Sequence, residues 1–146
     1  MVRLSTISPD LVVRLRRMSA AERRELAVAA CEFAVSRVEL QHPSIDRALS
    51  LLRQGSQLPP EDRTALETLA ADLDERYFDL QDAAEDGRAG PEDFLHPFAQ
   101  ARAVAALLSV FHEDSLTAAE EAIYEAAMTG EHPAELLAVI DPSHAR

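Results

Sequence analysis

The stretch ARAVAALLSVF, residues 101–111, decides the fold. From Ala103 to Phe111 apolar side chains fall on nearly every side of a helix, the pattern of a helix enclosed by others rather than one lying on a surface. Its uninterrupted apolar run, Ala103–Leu108, is six residues long, as is the other such run, Leu26–Cys31. Both fall far short of the ~20 residues that span a bilayer. A soluble bundle with a central helix at about residues 97–112 is therefore expected.

Outward from that helix, the boundaries are marked by capping residues. Ser8-Pro9 reads as an N-cap and first helical position for a short helix to about Met18. Ser19 with Glu22 is a capping-box signature that opens a second central helix at about residues 20–40. That helix carries two apolar faces, one through Leu26, Ala30, Phe33 and Leu40 and one through Val28, Cys31, Val35 and Val38. His42-Pro43 restarts the chain, and the stripe Ile45, Ala48, Leu49, Leu52 runs to Gly55, a natural C-cap.

A long acidic helix at about residues 60–86 places Leu66, Leu69, Leu73, Tyr77, Leu80 and Ala84 on one face and stops at Gly87. Gly90-Pro91 closes the next loop, and Phe94 sits in a turn before the central helix. Asp114 and Ser115 are alternative N-caps for a helix to about Met128, ended by Gly130, and His132-Pro133 opens a short last one. No stretch alternates as a strand would. The chain reads as all-α: one domain over residues 1–146, a bundle of six or seven helices, with residues 1–18 also readable as a separate basic amino-terminal helix.

Composition narrows the function classes. The 146 residues are 47% hydrophobic and 27% charged, which fits a folded domain and not an acidic disordered tail. One cysteine, Cys31, excludes an intrachain disulfide and a thiolate metal cluster. Its neighbours at turn spacing, Ala27, Val28, Ala34 and Val35, describe a buried structural thiol with a raised pKa. The amino terminus lacks the apolar segment of a secretory signal, so a cytoplasmic location is expected. All 14 basic residues are Arg, with no Lys and no Asn beside 26 Ala, a bias that points to a G/C-rich bacterial genome.

The chemistry-bearing motifs are few. Glu39-x-x-His42 and Asp93-x-x-His96 have the spacing of helical di-metal ligands, but each His precedes a Pro, which moves it to a helix start. No Gly-x-Ser-x-Gly, Gly-x-Gly-x-x-Gly or Walker-type loop is present. The chain is therefore expected not to be an enzyme and to need no cofactor and no metal. Arg102, with Phe98, Ala99, Ala105 and Ala106 as turn neighbours, must reach outward or meet a carboxylate, and a structural ion pair is expected there.

The strongest signal is charge distribution. Residues 1–24 hold six Arg and two acids, whereas residues 25–146 hold eight Arg and 24 acids, so the formal charge of −12 divides into +4 and −16. On the long helix Asp72, Glu75, Asp79, Asp82 and Asp86 recur at three and four, an arrangement that costs a helix a few tenths of a kcal/mol per like-charged pair. Phe78 lies off the apolar stripe among Asp74, Glu75, Gln81 and Asp82. An aromatic rimmed by carboxylates marks an interface for a basic partner. Direct nucleic-acid binding through such a surface is disfavoured by phosphate repulsion. The simplest role of Arg14, Arg16, Arg17, Arg23 and Arg24 is pairing with the acidic helices, within one chain or between copies.

The segments LDERYFDLQD (residues 73–82), ARAVAALL (101–108) and EAIYE (121–125) resemble small all-α actinobacterial proteins, some of them immunity proteins of polymorphic toxin systems. The likeness covers about half of the chain. It implies a compact acidic protein that binds and occludes a toxin, often a basic nuclease. The leading expectation is a non-enzymatic binding module of immunity or inhibitor type that engages a basic protein through Asp72, Glu75, Phe78, Asp79, Asp82 and Asp86. The alternative is a homo-oligomeric scaffold or accessory subunit that sets its basic amino-terminal helix against the acidic face of another copy. A third is a helical metal-binding protein using His42 or His96.

Overall fold

A computed structural model of the chain describes residues 2–88, 90, 93, 95–130 and 132–140. After a single 3-10 turn, Arg3–Thr6, come α1 (Pro9–Arg17), α2 (Ala20–Arg37), α3 (Pro43–Arg53), α4 (Pro60–Glu85), α5 (Leu95–Val110), α6 (Ser115–Ala127) and α7 (Pro133–Ile140). The described residues contain no strand. The all-α bundle expected from the sequence is what the chain forms.

Side chains fix most helix starts. Ser8 Oγ accepts from the Leu11 N–H at 3.3 Å. The capping box closes in both directions: Ser19 Oγ accepts from the Glu22 N–H at 3.2 Å, and Glu22 Oε1 accepts from the Ser19 N–H at 3.1 Å. The Ser19 backbone N–H, and after it the Ser19 side chain, hold the Glu22 carboxyl below its ordinary range. Of the two candidate caps for α6, Asp114 takes the position, its Oδ2 accepting from the Thr117 N–H at 2.9 Å and the Thr117 hydroxyl at 2.7 Å. His42 caps α3 by accepting from the Ser44 N–H at Nδ1, 3.1 Å away. α5 starts at Leu95, before Pro97; a proline in the first turn removes an N–H that has no intrahelical partner anyway.

Three helices end in the same motif. After α3, the Ser56 N–H reaches Leu51 O at 2.9 Å and the Gly55 N–H reaches Leu52 O at 3.1 Å. After α4, the Arg88 N–H reaches Ala83 O at 2.7 Å and the Gly87 N–H reaches Ala84 O at 3.1 Å. These are Schellman closures with Gly55 and Gly87 in the left-handed region, φ 76° in both. α2 ends identically, Leu40 N–H to Val35 O and Glu39 N–H to Ser36 O, each 3.2 Å, but a glutamate, Glu39, takes the left-handed position at φ 53°. This closure stops α2 at Arg37, short of Leu40.

One apolar cluster draws buried residues from the 3-10 turn and from every helix. Leu4, Leu11 and Leu15 are fully enclosed, so the amino-terminal segment is packed into the same core. α2 and α5 are central, as the sequence indicates, but α6 is the hub: its largest contacts are with α2 and α5. Ala118, Ala119, Ala122, Ala126 and Ala127 are all buried on it, and such small side chains let helix axes approach closely. α4 packs on α5 and α3, and only Leu66 and Leu73 of its apolar face are buried. No helix among the described residues is long and apolar enough to cross a membrane.

Candidate protein-binding face

α4 has 26 residues, about 39 Å at the helical rise, and α3 meets it near its start, where Arg47 Nε lies 3.7 Å from Asp62 Oδ1. Its second half meets α5, where Tyr77 lies against Phe98. There Tyr77, Leu80 and Ala84 remain half-exposed although they continue the apolar stripe. Phe78 projects further, with 59% of its surface exposed. It does not tuck under a neighbouring helix.

The exposed apolar surface continues across the helix pair. The Tyr77 ring stands edge-on to Phe78, centroids 5.2 Å apart at 62°, and lies 5.4 Å from Phe98 of α5. Phe98 is 38% exposed and Leu95, one turn before it, 49%. In the sequence Phe98 stands out only as a neighbour of Arg102, and Leu95 carries no signal. Their periodicity is that of an all-round apolar helix, and only the placement of α4 shows which side stays uncovered.

Asp72, Glu75, Asp79 and Asp82 are all exposed along α4 beside this patch. Asp86 is exposed too but lies at the C-cap, where Arg88 Nη2 meets it at 2.8 Å. Carboxylates at a helix C-terminus oppose the helix dipole, typically by 0.3–1 kcal/mol each, and the last turn of α4 contains no basic residue. Among the described residues the ion pairs on α4 lie at its ends, Arg47–Asp62 and Arg88–Asp86. The stripe between them is not neutralised by the basic amino terminus.

The amino-terminal arginines serve other elements. Arg23 closes the end of α1, donating from Nε to Leu15 O at 2.7 Å and from Nη2 to Arg16 O at 3.0 Å. Arg24 Nη2 donates to Leu52 O near the end of α3, at 2.7 Å. Arg3 pairs with Glu121 and with Glu125, the latter at 2.9 Å, and its guanidinium covers the Tyr124 ring at 4.4 Å. So pairing with an acidic helix occurs, but on α6.

Glu125 is enclosed, and its second oxygen accepts from Arg102 Nη1 at 3.1 Å. The side chain of Arg102, 29% exposed, lies with its guanidinium 5.7 Å from the Phe98 centroid. The expected ion pair of Arg102 is therefore present, and it also backs the aromatic patch.

No family model, curated protein or solved structure matches this chain.

The remaining candidates are scattered. Glu39 sits beyond the end of α2 and His42 at the cap of α3, so the pair shares no helix face. Asp93 Oδ2 accepts from the Gly90 N–H at 2.8 Å, outside α5. Among the described residues no three His, Cys, Asp or Glu side chains converge in a way that could hold a metal ion. Cys31 is fully enclosed, and desolvation pushes its thiol pKa far up. The Phe94 turn falls outside the described residues.

Proposed function

We propose that this chain is a binding module, acting by occlusion rather than catalysis, that engages a basic protein through the second half of α4 and the start of α5. One observation carries the reading: Phe78 is 59% exposed, continuous through Tyr77 with Phe98, and fenced by exposed carboxylates. Such a patch offers an aromatic anchor for affinity and a charged rim for steering and partner choice. The immunity-type resemblance of the sequence points to the same class of partner, a basic toxin among them. The test is affinity capture from a lysate of the source organism, followed by calorimetry with the captured protein purified. Phe78→Ala should weaken binding by about 2 kcal/mol, and raising salt to roughly 0.5 M should slow association sharply. Binding indifferent to Phe78→Ala and to salt would remove this face.

A second reading has its own observation. On α1, Val13 is 44% exposed with Arg16 and Arg17 exposed three and four residues on, a small basic counterpart of the α4 face. Contact between the two faces of successive copies would be heterologous and would close into a ring or propagate. Light scattering at low salt distinguishes the readings: a salt-sensitive oligomer lost in Arg17→Glu supports self-association, and a monomer excludes it. Deleting residues 1–18 is unsuitable as a test, because Leu4, Leu11 and Leu15 belong to the core.

A further inference from the structure

Acids outnumber arginines 26 to 14 in this chain, so an arginine without a carboxylate partner is notable. Six arginines have one within 4 Å: Arg3, Arg37, Arg47, Arg53, Arg88 and Arg102. Three that have none among the described residues, Arg23, Arg24 and Arg63, come from α2 and the first turns of α4 and line one surface groove. The groove consists of two adjoining hollows of about 260 and 430 Å³, joined at Arg24, Val110, His112 and Glu113. It lies away from the aromatic face.

The cations are held in place. Arg23 is fixed at all three nitrogens, by Leu15 O, Arg16 O and, from Nη1, Ser115 Oγ at 3.2 Å. Arg24 is held at one, by Leu52 O. A guanidinium has five N–H donors, so both retain unused ones. Arg63 makes no hydrogen bond or ion pair with the described residues and is partly buried at the wall of the larger hollow. His112 Nδ1 accepts from the Asp114 N–H at 3.0 Å, which places the proton of the neutral ring on Nε2 and makes the ring a donor on its free side. Glu113 is the one carboxylate in the lining, leaving it net positive in a protein of charge −12. The loop segment Gly55–Leu58 also lines the larger hollow.

We infer that this groove binds a small oxyanion, a compound bearing phosphate or several carboxylates, clamped by Arg24 and Arg63 with His112 as a further donor. Guanidinium forks match both groups in a bidentate manner, and the larger hollow is of the size that holds small molecules. The inference rests on no property of the α4 face, so either can fail alone.

Calorimetric titration of the full chain with pyrophosphate and, separately, with citrate tests it and identifies the class. Saturable one-to-one binding of either, with displacement of the His112 ring signals in NMR spectra, is expected; binding of one and not the other names the anion. Arg63→Gln, which breaks no hydrogen bond or ion pair among the described residues, should weaken that binding about tenfold. Arg76→Gln, roughly 20 Å further along α4, should leave it unchanged. Absence of saturable binding of both anions overturns the inference. So does binding that survives Arg63→Gln, or that falls equally with Arg76→Gln.

Discussion

Glu39 occupies a backbone position whose two counterparts in this chain are glycines. Its φ of 53° closes α2 with the same hydrogen bonds that Gly55 and Gly87 provide for α3 and α4. A side chain in the left-handed region costs roughly 1 kcal/mol that glycine does not incur. Glu39→Gly should therefore stabilise the fold by about 0.5–1 kcal/mol, read as a raised urea midpoint with unchanged slope; a loss would mean that Glu39 makes a contact worth more than its strain. Glu120 is a second residue that works against stability. It is only 6% exposed, its Oε2 has no hydrogen-bond partner among the described residues, and desolvation raises its pKa against the opposing pull of Arg16, with smaller contributions from Glu121, Asp114 and Arg23. The folded state thus binds this proton more tightly than the unfolded chain. The penalty is complete above the folded pKa and disappears once pH falls below the ordinary carboxylate range, near about 4. Glu120→Gln should raise stability by about 1 kcal/mol at neutral pH, with the gain shrinking on acidification. A gain that is constant with pH would place its cause elsewhere.

At the scale of elements, two arginines and one carboxylate tie three segments together. Glu125 on α6 accepts from Arg3 of the 3-10 turn and from Arg102 of α5, so loss of either arginine leaves it one partner. Breaking a buried pair outright costs about 3–5 kcal/mol. Arg102→Met should consequently cost only about 1–2 kcal/mol, since Arg3 stays, and Arg3→Met a similar amount. The double variant strands the carboxylate and should lose about 3–5 kcal/mol, more than the two singles together. Simple additivity in a urea double-mutant cycle would show that the shared oxygen pair does not couple them. This network also explains what sequence reading could and could not recover. Caps are local, so Ser8, Ser19 with Glu22, Gly55, Gly87 and Asp114 are legible as written. The hub role of α6 is not, because Glu120, Glu121 and Glu125 give its sequence a surface character, and the partners of Glu121 and Glu125, Arg3 and Arg102, are distant in the chain. Gly130 shows the same limit. It reads as the stop of α6, yet a side chain there would run into the guanidinium of Arg37, which crosses it to meet Glu135 on α7 at 3.2 Å. Phe78 could be singled out because its neighbours on one helix are acidic; Phe98 and Leu95 could not, because their exposure depends on where α4 ends.

For the whole molecule, the uneven charge sets stability against the proposed binding. Of the amino-terminal cations, Arg3 goes to α6 and Arg23 and Arg24 to helix ends, whereas the α4 stripe keeps its charge beside an exposed aromatic patch and at the negative end of a helix dipole. A surface selected for folding alone would carry cations in that last turn. Replacing Asp79 and Asp82 by Asn removes like-charge pairs with Glu75 and Asp86 and lessens the clash with the dipole, so the double variant should be more stable by about 0.5–1 kcal/mol at low salt. Added salt should erase most of that gain, because it screens the same repulsion in the parent chain. The same substitution should weaken a basic partner mainly by slowing its association. Thermal melts at two ionic strengths, set beside stopped-flow association rates, separate the terms. A variant that is less stable at low salt would assign the stripe a structural task inside the fold, and the acidic face would lose its claim to be held open for a partner.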